Sequence, residues 1–324
     1  MNELRARLRR TTPATRVAAL GVLAALACIF FATYGALDAW ALIGHLRMRR
    51  LGALVVVAVA TAISTVLFHT AARNHILTPS VMGFDALYGL VQTVVVFLFG
   101  GLGLARFGEV QLFGLNVALM LVMSVGLFAV LFGSGRYSLY LVVLIGIVAG
   151  TFLRSITSFL QRIIDPNDFL VLQESMFASF NSVDEKLLGV AGAVTVAVAV
   201  YVYWHRHELD VVGLGEETAV SLGVNHRRRT LVYLSLSALL VATSTALVGP
   251  VLFFGLLVAH LGYRIARSHK HSYSLLAASF AAIITLVGGQ AILEHVFAQG
   301  TILSVVIDFL GGILFLILLV KGTK

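Results

Sequence analysis

An all-α, polytopic membrane protein with about ten transmembrane helices is the fold this sequence predicts, and three observations predict it. Of its 324 residues, 59% are hydrophobic and only 12% charged, roughly half the charge of a soluble domain, and the mean hydropathy is +0.98. Apolar runs close to the length that crosses ~30 Å of hydrocarbon recur from end to end. Basic residues crowd alternate polar breaks, as topology signals do. The net charge of +8 is not gathered into a basic stripe with interleaved aromatics, so the implied partner is membrane lipid and not nucleic acid.

The first span, 17–34, follows Arg5, Arg7, Arg9, Arg10 and Arg16. Charge followed by an apolar run imitates an export signal, and Ala25-Leu26-Ala27-Cys28 hints at a lipoprotein cleavage box. Alanine stands at 25 where leucine is usual, so the segment reads as a retained span. Cys28 is the only cysteine, which excludes an intrachain disulfide and a thiolate metal site. Spans two to five cover 51–68, 82–99, 113–132 and 139–160. A long polar connection, 161–186, comes next, and its apolar residues at 169–172 and 176–177 suit a short interfacial helix. Span six is 187–204. Spans seven (231–248) and eight (251–265) are divided by Gly249-Pro250, because proline cannot continue a helix. Spans nine and ten cover 275–297 and 303–320. Thirty glycines against four prolines suit close helix packing in a membrane.

With the N-terminus inside, sixteen of the 23 Lys and Arg fall in inner segments and six in outer ones, with Arg154 inside a span. That bias puts both termini in the cytoplasm of a multi-pass inner-membrane protein. Residues 205–230 then form a cytoplasmic loop, while Asp165, Asp168, Glu174, Asp184 and Glu185 face outward.

Within that inner loop lies the most unusual stretch of the chain, Gly215-Glu216-Glu217-Thr218-Ala219-Val220-Ser221-Leu222-Gly223-Val224-Asn225. It is polar, helix-length, opened by paired glutamates and closed by glycine, as a handle for another protein would be. No G-x-x-x-x-G-K-[ST] loop occurs, so the chain has no phosphate cradle of that kind. Ten histidines are scattered without carboxylates or thiols at ligand spacing, and read as solvated groups and not as a metal site. No nucleophile–base pair is legible. The remaining candidates are ionisable groups within the spans: Asp85, Arg154, Glu294 and Asp308. Asp308 is the deepest, and serves equally as a path or proton site or as an inter-helix hydrogen bond. Arg154 and Glu294, near helix ends, suit snorkelling to the interface.

Four motifs, in order along the chain, resemble those of the FecCD-type permeases, the membrane subunits of ABC importers for iron-siderophores and cobalamin. Arg47-Met48-Arg49-Arg50-Leu51 resembles the family's R-L-P-R entry. Residues 74–83, Asn-His-Ile-Leu-Thr-Pro-Ser-Val-Met-Gly, resemble its N-P-L-A-x-P-x-x-L-G turn. Gly215 to Asn225 resembles G-E-x-A-x-x-L-G-V-N, and residues 249–260 resemble G-P-I-x-F-V-G-L-V-x-P-H. The resemblance implies a type II importer fold: two permeases flanking a path, two cytoplasmic ATPases carrying ATP and Mg, and an extracytoplasmic siderophore-binding protein. It implies no cofactor on this chain and no catalysis by it.

Transferred by position, Gly215, Glu216, Glu217, Ala219, Leu222, Gly223, Val224 and Asn225 become the ATPase-coupling helix. Glutamates at its start suit the positive end of a helix dipole, and Gly223 suits a left-handed exit. Arg47, Arg49 and Arg50 become the docking residues for acidic groups of the binding protein, or else headgroup anchors of span two. Asn74, Leu77 and Pro79 become the inner gate, with Ser134 and Gly135 assigned to its second loop by location. Arg227, Arg228 and Arg229 read as headgroup anchors. Asp85, Gln92 and Asp308 are path candidates.

His75, Ala259 and the Ile302-Leu303-Ser304 run depart from the family pattern. Residues 76–85 with Gln92 resemble the branch for ferric catecholate siderophores, in which two different permeases often pair. A heterodimer is therefore favoured over a homodimer, with cobalamin or haem as other cargoes. The competing reading is a secondary transporter or channel driven by protons or cations at Asp85, Asp308 or Glu294.

Overall fold

A computed structural model describes residues 12–34, 40–101, 108–133, 139–181, 183–296 and 303–322. All regular structure among them is helical. In chain order the helices are α1 (Pro13–Thr33), α2 (Trp40–Ala72), α3 (Phe84–Phe99), α4 (Glu109–Gly133), α5 (Leu139–Gln161), α6 (Pro166–Ser175), α7 (Glu185–Trp204), α8 (Arg206–Gly213), α9 (Glu216–Ser221), α10 (His226–Val248), α11 (Phe254–Ala266), α12 (His271–Val296) and α13 (Leu303–Gly322), with a 3₁₀ turn at Pro79–Met82 before α3. Seven of these, α1, α2, α4, α5, α7, α10 and α12, contain segments long and apolar enough to cross a membrane. Apolar segments of α3, α11 and α13 are shorter.

The bundle is built around α2 and α10. Small residues let them approach: Ser64 Oγ donates to the Ser237 carbonyl at 2.9 Å and Ser237 Oγ returns the bond to the Ser64 carbonyl at 2.9 Å. Thr61 and Ser244 add a hydroxyl contact at 3.4 Å. In a membrane interior, where lipid is as apolar as leucine, such bonds and close packing hold helices together, at about 0.6 kcal/mol per polar pair. α12 packs on α2 and on α11, where Gly262 lies so near Ala278 that a Cβ would sit 2.6 Å from its backbone nitrogen.

Two departures from the expected spans bear on function. α2 begins at Trp40, not near residue 51, so Arg47, Arg49 and Arg50 lie within the helix and not ahead of it. Two of them, Arg47 and Arg50, share the Glu294 carboxylate of α12. The 205–230 segment contains a helix within the expected 215–225 stretch, α9, and an unexpected one before it, α8. In the 161–186 connection the helix forms at Pro166–Ser175, capped by the Asp165 carboxylate, which accepts from the Asn167 N–H at 2.9 Å.

Candidate functional site

α9 is six residues long and ordered by its two ends. Gly215 precedes it at φ 103°, and its carbonyl accepts from the Ala219 N–H at 2.9 Å. At the far end the Gly223 N–H bonds to Val220 O at 3.0 Å and the Val224 N–H to Ala219 O at 2.9 Å, with Gly223 left-handed at φ 79°. That paired closure needs glycine where the chain reverses hand. Asn225 then caps α10, its side chain accepting from the Arg228 N–H at 3.0 Å. Ala219 is fully buried and seats the helix on the body, while Glu216 and Glu217 are exposed. Around them Leu214, Val220 and Leu222 are 58–60% exposed. Exposed aliphatic side chains beside paired carboxylates make a mixed apolar and polar surface, the composition that protein interfaces share with other surface.

α8 fastens this segment to the bundle. Leu209 and Val212 are fully buried beneath it. Glu208 on one flank meets Arg229 of α10 at 2.6 Å, so Arg229 is spent on a protein partner and not on headgroups. Asp210 on the other flank accepts from the His271 N–H at 2.8 Å and pairs with His271 Nδ1 at 2.6 Å. Burial would raise the Asp210 carboxyl, but those hydrogen bonds from His271 outweigh it and hold it below its ordinary value. His271 Nε2 in turn meets Thr70 Oγ1 of α2 at 2.7 Å. None of these contacts was legible in the sequence. The one available signal was the alternation of Glu208 and Asp210 about an apolar Leu209 and Val212.

Beside α8 is a cavity of about 900 Å³ whose lining includes His69, His75, His260, His271, Arg73 and Arg267. The expectation of solvated histidines fails for His69, which is fully buried on α2. Its Nδ1 lies 3.2 Å from Tyr263 Oη, and the His75 and His260 rings stand edge-on to it at 5.5 and 5.9 Å. Among the described residues no group of three such side chains is placed to hold a metal ion. Asn74 and Leu77 lie in the turn that follows α2, where the Asn74 side chain accepts from the Ile76 N–H at 2.9 Å. Pro79 opens the 3₁₀ turn. Ser134 and Gly135 lie outside the described residues.

A second polar cavity, of about 500 Å³, lies between α3, α5 and the turn before α11, and its lining includes Ser80, Asp85, Arg154, Thr157 and Phe253. Asp85 lies within electrostatic reach of Arg154 and Asp308. Asp308 accepts from the Phe253 N–H at 3.1 Å and so buttresses the cavity's wall. Arg154, expected to snorkel, is exposed and lines this cavity. Gln92 is buried on α3 and lines neither cavity.

At the end of α2 remote from α9, Glu294 of α12 is gripped by Arg50 and, at 3.3 Å, by Arg47. Gln290 Nε2 adds a bond to the same carboxylate at 3.0 Å. Arg47 also donates to the Tyr34 carbonyl and lies 5.3 Å from the Phe31 ring centre. Glu294 therefore is not snorkelling, since it ties α12 to α2. Arg49 takes no part in that knot among the described contacts.

The FecCD transport family model matches residues 15–321. A petrobactin import system permease protein, YclO of Bacillus subtilis strain 168, is 42% identical over 301 residues, covering 93% of this chain and 95% of the relative. FatC of Bacillus anthracis, likewise named a petrobactin import permease, is 35% identical over 270 residues, covering 83% and 76%. Among solved structures, one described as a metal-chelate type ABC transporter in an inward-facing conformation superposes with a TM-score of 0.76 at 19% identity, covering 96% of this chain and all of that one. Such identity supports the type II permease fold, and the sequence matches supply the family. The chain belongs to the FecCD transport family, as the non-catalytic, multi-pass membrane permease subunit of an ABC-type importer.

Proposed function

We propose that this permease carries a ferric siderophore of the catecholate or petrobactin type into a bacterial cytoplasm, driven by ATP hydrolysed with Mg on separate ATPase subunits. α9 is the observation that carries the reading. It offers paired carboxylates and bare aliphatic side chains on one short helix, a surface suited to a protein partner. The cargo assignment is supported by the two petrobactin import relatives. Ten helices cross the membrane, the three shorter apolar ones included. Both termini and the α8–α9 segment face the cytoplasm, and the whole described chain acts as one permease domain.

In this scheme Gly215, Glu216, Glu217, Ala219, Leu222, Gly223, Val224 and Asn225 engage the ATPase. Asn74, Leu77 and Pro79, with Ser134 and Gly135, form the inner gate. Arg47, Arg49 and Arg50 meet acidic groups of an extracytoplasmic binding protein, with Arg49 the freest to do so. Asp85, Gln92 and Asp308 belong to the path, which a second and different permease subunit completes. Nucleotide binding shifts the bundle between outward- and inward-open packings, because it favours one of them.

The test is to tag the full chain, identify what co-purifies, and repeat with Glu216→Ala/Glu217→Ala. Coupled import predicts that ATPase subunits accompany the wild type, and that the double variant loses them and loses uptake while keeping its fold. A second reading, a carrier driven by protons or cations, draws on the cavity that joins Asp85 and Arg154 within reach of Asp308. It predicts full uptake by the α9 double variant and loss of uptake in Asp308→Asn.

A further inference from the structure

We propose that α8 is a rigid strut that transmits movement of α9 to the last turn of α2, with Asp210 and His271 as its positioning residues. This rests on the reading of α9 as the ATPase contact and of the turn after α2 as the inner gate.

The geometry is that of a short lever clamped on both flanks. Successive helical residues lie about 100° apart, so residues 208 and 210 point to nearly opposite sides. Glu208 is fixed to Arg229 of α10 at 2.6 Å, and Asp210 is fixed to α12 by two contacts to His271 at 2.6 and 2.8 Å. Leu209 and Val212, wholly buried, close the underside. With both flanks and the base held, α8 can move only by carrying its neighbours along, because packed interfaces shift between discrete arrangements and do not stretch.

The neighbour it carries is α2. Thr70 Oγ1 donates to the Val66 carbonyl at 2.9 Å, in the manner of a helix-bound threonine, and its lone pairs face His271 Nε2 at 2.7 Å. Asp210, His271 and Thr70 thus make a continuous chain of short polar contacts from α8 through α12 to α2, ending one turn before Asn74. A second link runs in parallel. The Arg73 guanidinium lies against Gly215 so closely that a Cβ there would be 2.7 Å from its Nη1. Arg73 itself holds a left-handed backbone, φ 48°, a conformation that costs a non-glycine residue energy and tends to persist where function requires it. Both links leave the α8–α9 segment and converge on the four residues from 70 to 73, the last that precede the Asn74–Pro79 turn.

The experiment is hydrogen exchange on the full-length chain in complex with its co-purified ATPase subunits, compared with and without trapped nucleotide. Wild type is expected to show a nucleotide-dependent change in exchange at both α9 and the 73–78 turn. In Asp210→Asn the response at α9 persists, while that at the turn falls about tenfold, the scale of ordinary coupling between sites. Thr70→Val, which cuts the same chain at its far end by removing the contact to His271 Nε2, is expected to silence the turn in the same way with the α9 response intact, which a loss of α8 stability alone would not do. An Asp210→Asn complex whose turn responds like wild type overturns the strut, and so does one whose α9 response also disappears, because Asp210 would then act on docking. A chain that binds no ATPase removes the α9 reading and the strut together, whereas the first two outcomes leave the α9 reading standing.

Discussion

Glu294 has the most to lose from a single substitution. Its carboxylate is only 6% exposed and accepts from Arg47, Arg50 and Gln290. Removing one member of a buried ionic cluster leaves the others charged and unpaired, which costs about 3–5 kcal/mol. Glu294→Ala is therefore expected to lower the apparent unfolding temperature of the detergent-purified protein by several degrees. Arg49→Ala, outside the knot, is expected to leave it unchanged, and equal behaviour of the two variants would refute the assignment. Asp210 makes a different prediction, in pH. Its carboxyl is held below the ordinary value of 3.8, so the stability it contributes is complete above that value and is lost as pH falls through its lower native value. The melting difference between wild type and Asp210→Asn is thus expected to be present at about pH 5 and to close below 3.8. A difference that widens on acidification would contradict this sign.

At the scale of elements, α9 depends on its flanking glycines in different ways. Gly223 supplies a left-handed closure in open space, whereas Gly215 combines φ 103° with the Arg73 guanidinium at its Cα. The Arg73 side chain can swing aside, so both substitutions cost backbone energy. Gly215→Ala, at φ 103° and ψ 170° where glycine alone is at ease, is expected to cost more than Gly223→Ala at φ 79°, whose penalty is about 1–2 kcal/mol. Limited proteolysis of the α8–α10 segment would read the order, and faster cleavage in Gly223→Ala than in Gly215→Ala would reverse it. α8 shows why an element can escape a sequence reading. Eight residues fall short of a helical period long enough to detect, and the helix is held by Arg229, His271 and buried Leu209 contacts instead of by propensity. The start of α2 escaped for a related reason. Arginines at 47 and 50 look like a polar break ahead of an apolar run until Glu294, 247 and 244 residues later in sequence, is known to pair with both.

At the scale of the whole molecule, orientation is testable with one chemical handle. Cys28 is the sole native cysteine, so single cysteines placed in a Cys28→Ser background report sidedness directly. Ser221→Cys on exposed α9 is expected to react only from the cytoplasm, and Glu174→Cys on α6 only from outside. The opposite pattern would invert the charge asymmetry on which the topology rests. Membrane class, helical composition, seven of the expected spans and the paired glutamates at the start of α9 were legible in the sequence itself. Hydrocarbon demands long apolar helices, and charge bias, paired glutamates and glycine stops are local patterns that need no partner to be read. Which polar residues meet was decided only by tertiary structure: Glu294 with Arg47 and Arg50, His271 with Asp210 and Thr70, and His69 with Tyr263. Each pair joins residues remote in the chain, and a charge's partner depends on distances that no local pattern encodes.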